Sequence, residues 1–180
     1  MTSPAASPWV QRWSALVPGG ARVLDVACGS GRHVRWFAAR GALVTAIDRD
    51  AALLEALRSL PDVELIEADL EGEPWPLTGR RFDAVVVTNY LWRALLPTIV
   101  ASVAERGVLI YETFARGNET IGRPANPDFL LAPGELLRAA SGLRVIGYED
   151  GFIAAEPQRF VQRIAAVREG GAVPVTRYAL

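Results

Sequence analysis

Hydrophobic and polar positions divide the chain into short apolar runs separated by amphipathic stretches. Arg22 to Ala27 is apolar apart from Arg22 and Asp25, the pattern of a parallel strand buried on both faces. Ala42 to Ile47, Val63 to Ile66, Phe82 to Thr88 and Val108 to Glu112 are further strand-like runs. Helical spacing fills the intervals. Trp9, Val10, Trp13, Leu16 and Val17 share one face, and Val34, Phe37 and Ala38 share another on a segment from Gly31 to Arg40. Leu53, Leu54 and Leu57 follow a capping Asp50 and stop before Pro61. Further helices are expected from Pro97 to Glu105 and from Pro133-Gly134-Glu135 through Ala140. The stretch 71–81, with its prolines and glycines, reads as loop. Leu143 to Tyr148 and Arg159 to Val167 read as a terminal antiparallel pair of strands.

Strands alternating with helices demand a parallel sheet wound by right-handed crossovers, hence a doubly wound α/β domain spanning 1–180. In such sheets a ligand sits outside the carboxyl ends of the strands, beside the first. That rim carries Gly29, Asp48, Asp69 and Asn89. The start of the chain up to Pro8 is expected to be disordered, and the helix after it is either a lid or a layer packed on the sheet. From 113 to 132 the chain makes a long connection with aromatic and arginine content, which points to a functional segment on the acceptor side of the site.

Composition narrows the function. The 180 residues are 51% hydrophobic and 22% charged, with a net charge of −1. All 19 basic residues are arginine, and they form no extended basic run, which argues against a nucleic-acid partner. Cys28 is the one cysteine and His33 the one histidine, so no internal disulfide forms and a structural zinc site would lack its usual ligands. No metal site is expected. The N-terminus lacks the pattern of a signal peptide, and no run approaches the ~20 apolar residues of a membrane span. The expectation is a cytoplasmic protein, monomer or homodimer, with no membrane partner.

The chemistry gathers at Asp25-Val26-Ala27-Cys28-Gly29-Ser30-Gly31, where a strand collapses into a small-residue turn and a helix follows at once. The glycines let a ligand approach bare amides. A dinucleotide fingerprint would need a third glycine where Val34 stands. A carboxylate at Asp25, inside the strand, is costly to bury without a partner, either a ligand ammonium or a ring of turn amides. Asp48 ends the second strand, where it can hold ribose hydroxyls, and Asp69 follows the third, within reach of an adenine amino group. Three acids suit a ligand with an amino-acid end, a ribose and an adenine but no phosphate: S-adenosylmethionine. A nicotinamide oxidoreductase and a non-catalytic nucleoside-binding protein are the alternatives.

These residues resemble the class I S-adenosylmethionine-dependent methyltransferases. Asp25-x-x-x-Gly29-x-Gly31 is similar to their first motif, Asp48 to their ribose acid, Ala68-Asp69-Leu70 to their adenine segment, and 82–89 to their fourth-strand motif. Ala27 stands where the family has its first glycine. The resemblance implies a Rossmann-like, seven-stranded, mostly parallel sheet with an antiparallel last strand. It implies a cofactor set of Asp25, Ala27, Gly29, Gly31, Asp48, Arg49, Asp69, Leu70 and Asn89. Asn126-Pro127-Asp128-Phe129-Leu130-Leu131, followed by Gly134-Glu135-Leu136-Leu137, is similar to the compact tellurite-resistance-type methyltransferases. Arg163 falls near one of their acceptor arginines, but their acceptor histidine has no counterpart here.

The acceptor is expected to be a small molecule, since the chain carries no appended domain, and arginines make an anionic acceptor fit. Its pocket is expected from Asn89, Tyr90, Trp92, Arg93, Thr113 and Phe114, capped by Arg116 and Arg123, with Tyr90, Arg93 and Arg163 as the catalytic candidates. His33 is the commonest kind of base, though packing is its simpler role. Glu112 is either an acid–base group or a strand end. Cys28 reads as a small packed residue.

Overall fold

The computed structural model describes residues 5–171, 177 and 178. One sheet of seven strands runs through it: β1 Arg22–Val26, β2 Leu43–Asp48, β3 Val63–Glu67, β4 Phe82–Thr88, β5 Val103–Phe114, β6 Arg144–Ile153 and β7 Arg159–Val167, in the order β3-β2-β1-β4-β5-β7-β6. The first five are mutually parallel, and β7 runs antiparallel between β5 and β6. The order reverses at β1, so the turn after β1 lies at the topological switch point.

Strand alternation sorts the core into two layers. Leu24, Val26, Val85, Val87, Leu109 and Ile164 face α4 (Leu96–Ala101) and α5 (Glu135–Ala139). Val23, Ala84, Val86, Ile110 and Ala165 face α1 (Pro8–Trp13), α2 (Arg32–Ala38) and α3 (Ala51–Glu55). Central parallel strands buried on both sides explain why β1 and β4 lack a polar stripe. The helix at Trp9 is thus a packed layer: Trp9 and Trp13 meet edge to face, with ring centroids 5.6 Å apart. Gly147 leaves room for Trp13, because a Cβ there would run into its ring.

Three expectations are corrected. The chain before the first helix is ordered from residue 5 onward, where Ala6 and Ser7 are buried; residues 1–4 lie outside the described part. The helix expected to reach Glu105 ends at Ala101, and β5 begins at Val103. A bulge makes this possible. Val103 pairs with Phe82 and Val108 with Ala84, while Arg106 takes φ 62° and Gly107 packs against the Phe82 carbonyl so closely that a Cβ would lie 2.8 Å from it. β5 also continues to Phe114, and β6 continues to Ile153, beyond the expected Tyr148.

Candidate active site

The turn after β1 is held open by its own backbone and by one carboxylate. Ala27, Gly29 and Gly31 have φ of 52°, 53° and 73°, all left-handed. Glycine adopts that conformation freely; Ala27 carries backbone strain there. A Cβ at Gly29 would meet open space, while at Gly31 it would lie 2.5 Å from Leu57, so Gly31 serves the close packing of the chain after α3. Asp48, at the end of β2, accepts the Gly29 amide at 2.7 Å and the Asp50 amide at 3.0 Å.

Beside this turn lies a hollow of about 160 Å³ lined by Ala27, Asp48, Arg49, Ala68, Asp69, Leu70, Glu71 and Tyr90. It brings together five of the expected cofactor residues. Asp69 is oriented by its own loop: it accepts the Glu71 amide at 3.1 Å, while its amide donates to Glu73 at 3.1 Å. Asp48 keeps lone pairs free beyond its two backbone bonds, so a diol can still be held there.

Asp25 lies elsewhere. Its strand neighbours Val23 and Val86 face α2, and its side chain is buried on that side, outside the hollow's lining. One carboxylate oxygen has no hydrogen-bond partner. Burial raises its pKa to about 7, against the pull of Arg32, with Asp48 adding a further push upward and the Val34 amide a small pull down.

A second, larger chamber of about 540 Å³ opens further along the rim, between the N-terminal segment, Arg32, Asn89, Glu112, Phe114 and the loops around Arg123 and Pro157. A hollow of about 270 Å³ links the two: it shares Glu71 and Tyr90 with the first and Asn89 and Phe114 with the second, and Thr113 lines it. Asn89 takes φ 56°, a left-handed conformation that asparagine tolerates, which ends β4 sharply at this junction.

The chamber's wall contains a buried network that leaves no trace in the residue pattern. Ser7 donates through its amide to His33 Nε2 at 3.2 Å and through its hydroxyl to Glu112 at 2.7 Å. Since Nε2 accepts, the His33 proton sits on Nδ1, 3.4 Å from the Thr88 hydroxyl. Burial, helped by Arg32, lowers the His33 pKa to about 3, so the ring is neutral with both nitrogens engaged. The signal that marks Ser7 is local: it caps α1 by accepting the Trp9 amide at 3.2 Å. Its long-range partners have no sequence signature.

Two of the catalytic candidates are placed differently from expectation. Arg93 pairs with Glu135 at 2.7 Å and donates to the carbonyls of Asp128 at 2.6 Å and Leu130 at 2.8 Å. It clamps the 126–135 segment and lines neither hollow nor chamber. Arg163 sits across the sheet from Glu112 and Glu149, at 3.3 and 2.5 Å, with its guanidinium 5.0 Å from the Trp9 ring centroid. Both guanidinium groups are paired with carboxylates of the fold. Tyr90 does reach the site, with a hydroxyl buried without a partner and a pKa pushed up by burial, Glu71 and Asp69. Cys28 is buried, its thiol pushed up by burial and by Asp25, which makes it a packed residue. Among the described residues no group of His, Cys, Asp and Glu is arranged for a metal, and no helix is long and apolar enough to cross a membrane.

Comparison with known proteins agrees with this architecture. Residues 23–106 match a family described as a methyltransferase domain. A TehB-like S-adenosylmethionine-dependent methyltransferase from Corynebacterium glutamicum superposes with a TM-score of 0.66 at 19% identity, covering 89% of this chain and 87% of that one. TehB from Haemophilus influenzae gives a TM-score of 0.72 at 18% identity, covering 94% of this chain and 64% of that one. Coclaurine N-methyltransferase, solved with N-methylheliamine and S-adenosylhomocysteine, gives 0.61 at 19%, covering 79% and 48%. No curated protein sequence matches the chain. Residues 23–106 thus match a methyltransferase domain, and the chain as a whole has the fold of the S-adenosylmethionine-dependent methyltransferases it superposes on.

Proposed function

We propose that this enzyme transfers a methyl group to a small-molecule acceptor held in the chamber between the N-terminal segment and the 115–131 connection. The observation that carries the reading is the continuity of the rim: the acid-lined hollow at Ala27, Asp48 and Asp69 shares lining residues, through Tyr90 and Asn89, with the larger chamber. Asp48 would hold the cofactor's ribose and Asp69 its adenine, with Arg49 and Leu70 flanking. Gly29, where a side chain would fill open space, leaves the turn bare for the amino-acid end. S-adenosylmethionine supplies there an electrophilic methyl group on a positively charged sulfur.

The chain's residues position more than they titrate. His33 is neutral and committed, Glu112 is taken by Ser7 and Arg163, and Tyr90 keeps its proton at neutral pH. Tyr90 therefore serves as a hydrogen-bond donor at the junction, and Asn89 as the strand end that aligns donor and acceptor. Alignment alone accounts for ~7–11 kcal/mol in favourable intramolecular reactions. An acceptor that ionises by itself needs no protein base. The test is methyl uptake from labelled S-adenosylmethionine across small thiols, phenols, carboxylates and metalloid oxyanions. Uptake by one class supports the reading; tight cofactor binding with uptake by none would favour a non-catalytic binding protein.

A further inference from the structure

The two ends of the rim carry opposite charge. Asp48, Asp69 and Glu71 face Arg49 alone around the cofactor hollow. The chamber has Arg32, Arg123 and Arg159 against Glu112, whose carboxylate is already answered by the Ser7 hydroxyl at 2.7 Å and by Arg163 at 3.3 Å. Neither Arg32 nor Arg123 forms an ion pair among the described residues. Three arginines from three separate elements thus line one concave space without a salt-bridge partner among the described residues, Arg32 acting besides on the buried Asp25. Like charges gathered this way repel unless an anion joins them.

The backbone beside two of them, Arg123 and Arg159, is anchored by one buried side chain. Asn118 donates through Nδ2 to the Pro124 carbonyl at 3.2 Å and accepts the Phe160 amide through Oδ1 at 3.3 Å. Pro124 adjoins Arg123 and Phe160 adjoins Arg159, so one buried amide ties the loop arginine to the strand arginine. Arg32 comes from a separate element, the first turn of α2. The rest of the lining is partly apolar, with Ala6, Pro8, Phe114 and Pro157. An inorganic oxyanion would leave that surface unfilled, whereas an organic acid would use both the cations and the apolar wall.

We propose that Arg32, Arg123 and Arg159 form an anion site that selects, as the acceptor, a small organic molecule bearing a carboxylate. The planar fork of arginine matches a carboxylate with paired hydrogen bonds. The inference rests on the methyl-transfer reading only in taking the chamber as the acceptor's.

The test is calorimetric titration of the full chain saturated with S-adenosylhomocysteine, using a panel of small aliphatic and aromatic carboxylic acids, each beside its neutral amide. At least one acid is expected to bind, at least tenfold more tightly than its amide. Arg123→Gln, on an exposed loop, is expected to weaken that acid about tenfold while leaving the amide and S-adenosylhomocysteine unchanged. Equal binding of acids and amides, binding of tellurite or selenite with no carboxylate bound, or an Arg123→Gln chain with undiminished acid affinity would each overturn the proposal. So would an equal loss of S-adenosylhomocysteine in Arg123→Gln, which would assign the cations to the cofactor's own carboxylate. A wild-type chain that does not bind S-adenosylhomocysteine at all fails the methyl-transfer reading instead, and the acid-against-amide comparison on the free protein then decides the anion site alone.

Discussion

The carboxylate of Asp48 accepts the backbone amide of Gly29 at 2.7 Å, so the acid at the end of β2 fixes the turn at the end of β1. The same side chain lines the hollow that the turn borders. Its removal therefore acts on folding and on the ligand together. Asp48→Ala is expected to cost about 1–3 kcal/mol of stability, the size of a lost hydrogen bond to a charged group, and to weaken S-adenosylhomocysteine markedly. Asp48→Asn keeps an oxygen for Gly29 and should recover most of the stability but little of the affinity. Thermal unfolding and calorimetry on both variants check this. Equal recovery of both quantities would show that the carboxylate reaches the ligand only through the loop.

Asp25 makes stability depend on pH in a defined direction. Its folded pKa is about 7 against an ordinary 3.8, so from about pH 4 to 7 the unfolded chain gives up this proton first and the folded state loses ground. The penalty is constant above about 7. His33, lowered to about 3 from 6.5, works the other way: its contribution is complete above 6.5 and is lost as pH falls toward 3. The two slopes oppose each other in wild type. Asp25→Asn removes the first, so its stability relative to wild type should grow between pH 4 and 7, by up to about 4 kcal/mol. Urea unfolding at pH 4, 6 and 8 measures it, and a difference that does not change with pH would contradict the assignment.

Ser7 holds the chamber wall. Ser7→Ala leaves Glu112 and the Trp9 amide each short of a partner. Stability should fall by about 1–2 kcal/mol, with S-adenosylhomocysteine affinity unchanged because Ser7 does not line the cofactor hollow. Denaturant unfolding and calorimetry separate the two effects; a loss of cofactor affinity with no loss of stability would move Ser7 into the binding machinery.

Arg93 is a clamp. Arg93→Ala and Glu135→Ala should each lower the unfolding temperature, and a double-mutant cycle on stability should return a coupling of roughly 1 kcal/mol, given that both groups are partly exposed. Zero coupling would remove the structural role given to the pair.

What could be read in the sequence was local. The apolar runs located the strands, and the acids at the ends of β2 and β3, Asp48 and Asp69, indicated a nucleoside site because parallel strands bring their carboxyl ends to one rim. Asp25 was visible as a buried acid, but not that it lies on the α2 side of the sheet and outside the hollow's lining, since strand alternation fixes its face only once β1 is registered against β4. The pairing of Ser7 with His33 and Glu112 spans most of the chain and leaves no periodic trace. Arg93 and Arg163 have no sequence sign of being engaged because their partners Glu135 and Glu112 lie 42 and 51 residues away. The bulge at Arg106 hid the start of β5, since Ser102 to Gly107 has helical composition on one side and a turn glycine on the other.

Methyl transfer as proposed requires that S-adenosylmethionine occupy the hollow at Ala27, Asp48 and Asp69. Calorimetric titration of the purified chain with S-adenosylhomocysteine, beside a titration with NAD, tests it most directly. Saturable micromolar binding of S-adenosylhomocysteine, about −8 kcal/mol at 1 μM, is expected, with no binding of NAD. Saturable binding of NAD with none of S-adenosylhomocysteine would contradict it.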